Sequence, residues 1–183
     1  MSTSPPTSPV PGYGRITVLL HWLIALLIVA AFALGMVMVD IEGITPSKLR
    51  YFSWHKWLGV TVLALTAVRL LWRLTQTAPP YAQPMPRWQA LVSRLTHGAL
   101  YLLMFAVPVS GYFYSLAAGV PVVYLGMLPL PVFIDADPVL KPVLKELHEN
   151  LAWLLFALVV LHLLAVLKHQ LIDRDGLLWR MLR

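Results

Sequence analysis

Ile16–Val39 runs for 24 residues without a formal charge and is bounded by Arg15 and Asp40. A helix needs about 20 such residues to cross a bilayer core, so this stretch is read as a spanning helix, and the rest of the chain must be compatible with lipid. The composition agrees. Only 12% of the 183 residues are charged and 59% are hydrophobic, with a mean hydropathy of +0.74, where soluble domains run near ~25% charged. That length suits one compact bundle better than two domains. The formal charge of +6 and pI near 9.8 would fit nucleic acid, but topology explains basic residues better in a membrane chain. No run of like charge exceeds two residues, which argues further against nucleic acid.

Met1–Gly14, rich in Ser, Thr and Pro and almost uncharged, is expected to be a disordered tail, leaving 15–183 as one four-span domain. It lacks the charged start of a signal peptide. After the first span (about 16–39), Tyr51–Trp72 is interrupted only by Lys56 and Arg69 near its ends, where basic stems snorkel to headgroups. Tyr51, Trp54 and Trp57 at one end and Trp72 at the other fit interfacial aromatic belts. Thr75–Arg94, with Pro79, Pro80, Pro84 and Pro86, reads as a stiff linker. Leu95–Ile134 is uncharged throughout and too long for one helix. Its first part, about 95–116, reads as a third span kinked at Pro108, and the Gly/Pro-rich remainder as an apolar loop at the interface. Asp135–Lys145 is a polar loop into a fourth span, about 147–168. The closing LLWRML reads as an amphipathic piece at the membrane surface. The fold class is therefore an all-α, integral membrane four-helix bundle.

Four spans place the N-terminus, the second loop and the C-terminus on one side. That side holds Arg15, Arg69, Arg73, Arg87, Arg94, Lys168, Arg174, Arg180 and Arg183; the other holds Lys48, Arg50, Lys56, Lys141 and Lys145. The positive-inside rule puts both termini in the cytoplasm. Each histidine then acquires a depth. His21, His97 and His162 fall in the inner half, His55 and His148 near the outer ends of the second and fourth spans, and His169 at the inner surface.

The fourth span carries two of these rings. His148 and His162 are 14 residues apart, ~21 Å along a helix axis and within ~40° of one face. Two imidazoles so placed can each hold one of two stacked haems, with partners from the inner group and the outer pair. Iron held by paired imidazoles has no open position and exchanges single electrons with little reorganisation, which suits electron transfer. The chain has no cysteine, which excludes iron–sulfur clusters and covalently attached c-type haem. With no thiolate and no HxxxH or HExxH pair, zinc is a poor fit. The bland alternative is a bundle with packing or proton-relay histidines, as in a transporter. One histidine would not outweigh it; five at paired depths do. For the inner haem, depth leaves His21, His97 and His162 as candidates.

The chain resembles the bacterial cytochrome b-561 family, which shares its four-helix fold with the di-haem membrane subunits of nickel–iron hydrogenases and formate dehydrogenases. The resemblance is carried by R-I-T-V-L-L-H-W at 15–22, W-H-K-W-L-G at 54–59, R-L-L-W-R at 69–73 and L-T-H-G-A-L-Y-L-L-M at 95–104. It continues with P-V-S-G at 108–111, L-K-E-L-H-E-N-L-A at 144–152, His162 and the closing L-L-W-R-M. It runs from about residue 12 to the C-terminus.

The resemblance implies two haem b groups, His21 with His162 for the inner one and His55 with His148 for the outer one. His97 becomes a neighbour of the inner haem or of a quinone. It further implies electron transfer between the membrane quinone pool and the periplasmic face of a bacterial inner membrane. One activity associated with the stand-alone members, which this chain resembles, is oxidation of superoxide to dioxygen with reduction of ubiquinone. Lys48, Arg50, Lys56, Lys141 and Lys145 are then available to attract superoxide or a periplasmic redox partner. His169, with Arg73 or His97, is the candidate proton donor to quinone. The alternative is an anchor subunit relaying electrons for a larger dehydrogenase or hydrogenase. The sequence sets no oligomeric state.

Overall fold

The computed structural model describes residues 12–77 and 86–182. Most of the N-terminal tail and the Pro79–Pro84 part of the linker lie outside the described residues. Four helices dominate: α1 (Arg15–Asp40), α2 (Pro46–Leu74), α3 (Arg87–Ala117) and α4 (Leu140–Lys168), each long and apolar enough to cross a membrane. Lipid offers no hydrogen bonds to a backbone, so helices that satisfy their own are one of the few forms a spanning segment takes.

The helix ends on the side of the α1–α2 and α3–α4 connections follow from local chemistry. Thr45 Oγ1 accepts the Lys48 backbone N–H at 3.1 Å, and Pro46 occupies the first turn of α2, where its missing N–H costs nothing. Lys48 Nζ donates to the Ile41 carbonyl at 2.6 Å, placing a cation at the C-terminal end of α1. Ahead of α4, the Asp137 carboxylate accepts the Val139 and Leu140 N–H groups at 2.8 and 3.0 Å, which holds its carboxyl below the ordinary carboxylate range. α3 runs on through Pro108.

α1 packs on α2, α2 on α3 and α3 on α4. The core, Ile24, Leu103, Met104 and Leu155, lies toward the middle of the bundle. Much of the apolar surface faces outward. Leu26 is 67% exposed and Leu102 69%, a disposition that water would penalise and acyl chains do not.

Three helices begin earlier than the expected spans: α2 at Pro46, α3 at Arg87 within the expected linker, and α4 at Leu140 within the expected polar loop, since a helix can continue past its apolar stretch. Two further segments differ from expectation. The apolar loop after α3 contains a hairpin of β1 (Val123–Tyr124) and β2 (Leu128–Pro129), paired antiparallel. Its turn places Leu125 and Gly126 at φ of 53° and 72°; strands of two residues are too short to show an alternation in sequence. It docks on α2, where Trp57 Nε1 donates to the Val123 carbonyl at 2.8 Å and Thr61 Oγ1 lies 3.0 Å from the Tyr124 hydroxyl. The second segment is the C-terminal tail. α4 passes into a π-helical turn, His169–Asp173, and then a 3-10 turn, Leu178–Met181. This last turn is held to α1: Trp22 Nε1 donates to the Met181 carbonyl at 2.7 Å, and Arg180 lies 5.8 Å from the Tyr13 ring centre. Residues near the two termini therefore share one face of the bundle.

Candidate functional site

The bundle brings the histidines together in two groups. Toward the loop face, His55 of α2 and His148 of α4 have ring centres 6.1 Å apart. An imidazole–metal bond of about 2 Å plus a ring radius of about 1.1 Å on each side places two ligands across one iron about 6 Å apart, centre to centre. The spacing fits. The tautomers fit as well. His55 Nδ1 lies 3.0 Å from the Ala31 carbonyl and His148 Nδ1 lies 3.0 Å from the Val107 carbonyl. A carbonyl only accepts, so each Nδ1 carries the proton and each Nε2 keeps its lone pair for a metal. Ser110 Oγ, itself donating to the Val107 carbonyl, stands 3.2 Å from His148 Nδ1.

Glycines give these rings their room. A Cβ at Gly111 would stand 2.8 Å from His148 Cε1, and one at Gly35 would stand 3.3 Å from His55 Cε1. Gly59, four residues beyond His55 on α2, stands apart from both rings. A Cβ there would meet only the Pro108 side chain, at an ordinary 3.8 Å.

Toward the termini face, His162 of α4 has two neighbours. Its ring centre lies 6.4 Å from that of His21 on α1 and 5.4 Å from that of His97 on α3. Spacing across an iron favours His21. The hydrogen bonds pull the other way: His97 Nδ1 donates to the Ser93 carbonyl at 2.6 Å, whereas Arg69 Nη1 donates to His21 Nδ1 at 2.9 Å. The latter bond leaves the ring proton on Nε2, so His21 can take a metal only when Arg69 releases it. The long Arg69 side chain can swing; ring spacing is fixed by backbones and changes less easily. Spacing is therefore the stronger of the two signals. Arg69 and Arg73 stand 5.8 and 5.5 Å from the Tyr101 ring centre, so one aromatic face already attracts both cations.

The remaining candidates separate. Among the contacts found within the described residues, His169 meets neither Arg73 nor His97. Its Nδ1 lies 2.7 Å from Asp175 Oδ2 and 3.0 Å from Asp173 Oδ2, two neighbours that sequence reasoning did not find. A depression of about 390 Å³ lined by Gln170, Leu171, Arg174, Gly176 and Trp179 adjoins it in the chain. On the loop face, Lys48 is occupied with the end of α1, Arg50 lies 5.6 Å from the Trp54 ring centre, and Lys145 pairs with Glu149 at 3.3 Å. Lys141 is exposed. Lys56, next in sequence to His55 and half-buried, reaches Ser115 Oγ at 3.4 Å.

Comparison with known proteins identifies the family. The family model described as prokaryotic cytochrome b561 matches residues 12–183. The chain is 36% identical over 173 residues to cytochrome b561 homolog 2 of Escherichia coli K12, covering 93% of this chain and 90% of that one. It is 29% identical over 175 residues to the probable superoxide oxidase CybB of Yersinia pestis, covering 93% and 95%. It is 26% identical over 174 residues to cytochrome b561 homolog 1 of E. coli K12, covering 93% and 96%.

Proposed function

The chain belongs to the prokaryotic cytochrome b561 family and is a haem-binding electron carrier of the bacterial inner membrane; on that premise we propose that it holds two haem b groups and passes electrons from superoxide to ubiquinone. The observation that carries the reading is the outer pair, two imidazoles 6.1 Å apart with both Nδ1 protons committed to carbonyls. His55 and His148 hold the outer haem, and His21 and His162 the inner one. Bound there, haem supplies one-electron exchange between the faces. Both termini are cytoplasmic, which places the outer pair toward the periplasm.

In balance, two superoxide anions give two electrons and leave as dioxygen, and one ubiquinone takes both electrons and two protons. The protein's part at the loop face is attraction of a small anion. Lys56 is the best placed cation, because it flanks His55 and its ammonium, among the described residues, is tied only to a hydroxyl at 3.4 Å. Lys56→Gln is expected to slow superoxide oxidation about two- to five-fold, with a shallower dependence on ionic strength, in stopped-flow assays. Lys48→Gln should instead lower thermal stability and leave the rate near wild type, because its ammonium caps α1.

The test is haem quantified per chain with a reduced-minus-oxidised spectrum, followed by quinone reduction driven by superoxide. Two b-type haems and superoxide-dependent quinol formation are expected. A colourless protein would overturn the assignment of the histidines, and haem without superoxide-driven turnover would overturn the substrate.

A further inference from the structure

We propose that Asp175 is a positioning residue for His169, holding the ring so that Nε2 delivers a proton to a quinone oxygen at the termini face. The proposal rests on the reading of His169 as quinone's proton donor. His169 ends α4 and opens the π-helical turn. The chain then reverses through Arg174 at φ 52° and Gly176 at φ 74°, which turns a carboxylate six residues downstream back onto the ring.

The two acids near His169 are not equivalent. Asp173 lies 2.6 Å from Lys168 Nζ, and its side chain is 29% exposed, so its charge is shared and partly in water. Asp175 is 13% exposed and pinned at both oxygens: Oδ2 lies 2.7 Å from His169 Nδ1, and Oδ1 accepts the Leu177 N–H at 3.1 Å. A carboxylate accepts, so Nδ1 carries a proton that stays, and Nε2 is the nitrogen that exchanges. A carboxylate that fixes ring orientation from the far nitrogen is a recurring way to hold an imidazole in service.

The proton step balances as follows. The two electrons would come one at a time through haem held by His21 and His162, with superoxide at the loop face as their source. His169 releases the Nε2 proton to one quinone oxygen and is reloaded from water, and water at the same face supplies the second proton.

The experiment uses the haem-loaded protein in detergent. Haem is reduced chemically and its reoxidation by a short-chain ubiquinone analogue is followed by stopped flow, with haem content read from the difference spectrum. Asp175→Ala is expected to keep both haem spectra and to lower the limiting rate about 10- to 100-fold, with a smaller change in the half-saturating quinone concentration. Asp175→Asn, whose single carbonyl oxygen can accept from His169 Nδ1–H or from the Leu177 N–H but not from both, should recover part of that rate, and Asp173→Asn should stay within about two-fold of wild type. The double variant His169→Ala/Asp175→Ala should be no slower than His169→Ala. A wild-type rate in Asp175→Ala, or a double variant slower than His169→Ala by the full Asp175→Ala factor, overturns the role of Asp175 alone. A wild-type rate in His169→Ala overturns the reading of His169 itself.

Discussion

Replacing His148 with glycine is expected to halve the haem content, leaving a spectrum of the termini-side haem alone, and added imidazole should restore the missing half. The ring is held by the Val107 carbonyl on Nδ1, which leaves the Nε2 lone pair for a metal, and its centre lies 6.1 Å from that of His55. No other histidine comes near this pair, because His21, His97 and His162 meet at the other end of the bundle. The remaining ring therefore has no substitute partner across the iron, and free imidazole is the one ligand that can refill the space the glycine opens. The same logic separates the inner candidates. His21→Ala should lose the inner haem, and His97→Ala should keep it with at most a spectral shift, given ring spacings to His162 of 6.4 and 5.4 Å. Two haems in His148→Gly, or loss of the inner haem in His97→Ala with retention in His21→Ala, would refute the respective assignment. Haem per chain by pyridine haemochrome and the difference spectrum decides both.

Much of this was legible in the sequence because membrane insertion is governed by quantities that sequence carries directly. The run Ile16–Val39 and the uncharged stretches around it read out the four helices, since length and charge alone decide what crosses lipid. Histidine depth followed from that order, so the meeting of His55 with His148 could be anticipated from position along two spans. The inner partner could not. His21 and His97 lie at similar depth on different helices, and one ångström of ring spacing separates them, a quantity set by helix packing. Lys48 looked like one of several loop cations; that its ammonium closes α1 depends on where the Ile41 carbonyl falls after a turn. Asp175 was equally silent, because the π-helical turn and the left-handed Arg174 that bring it to His169 carry no periodic signature. Gly35 and Gly111 were silent too, since nothing in a helix's own sequence says which of its glycines faces a ring on another helix.

Gly111→Ala is expected to expel the outer haem nearly as completely as loss of His148, although it adds one methyl group and touches no ligand. A Cβ there would stand 2.8 Å from His148 Cε1, 3.0 Å from Nδ1 and 3.4 Å from Nε2. Carbon atoms in contact sit about 3.5–4.0 Å apart, so either the ring or α3 must move. The ring has little freedom, because its Nδ1 is bonded to the Val107 carbonyl and stands beside Ser110, both on the same helix as Gly111. Shifting α3 would carry those partners along with the methyl and would not relieve the clash. The ring therefore tilts, and its setting against His55 is lost. Propensity runs the other way, since alanine is favoured over glycine inside a helix by about 1 kcal/mol. A variant that loses haem while the apoprotein stays folded thus isolates the contact from any effect on α3 itself. Gly35→Ala, with its Cβ at 3.3 Å from His55 Cε1, calls for a displacement of only a few tenths of an ångström and should shift the outer haem's spectrum or midpoint potential while keeping the haem bound. Retention of both haems with an unchanged spectrum in Gly111→Ala would mean that His148 is not held where the Val107 bond puts it, and the outer pair would have to be rebuilt around a different ring orientation.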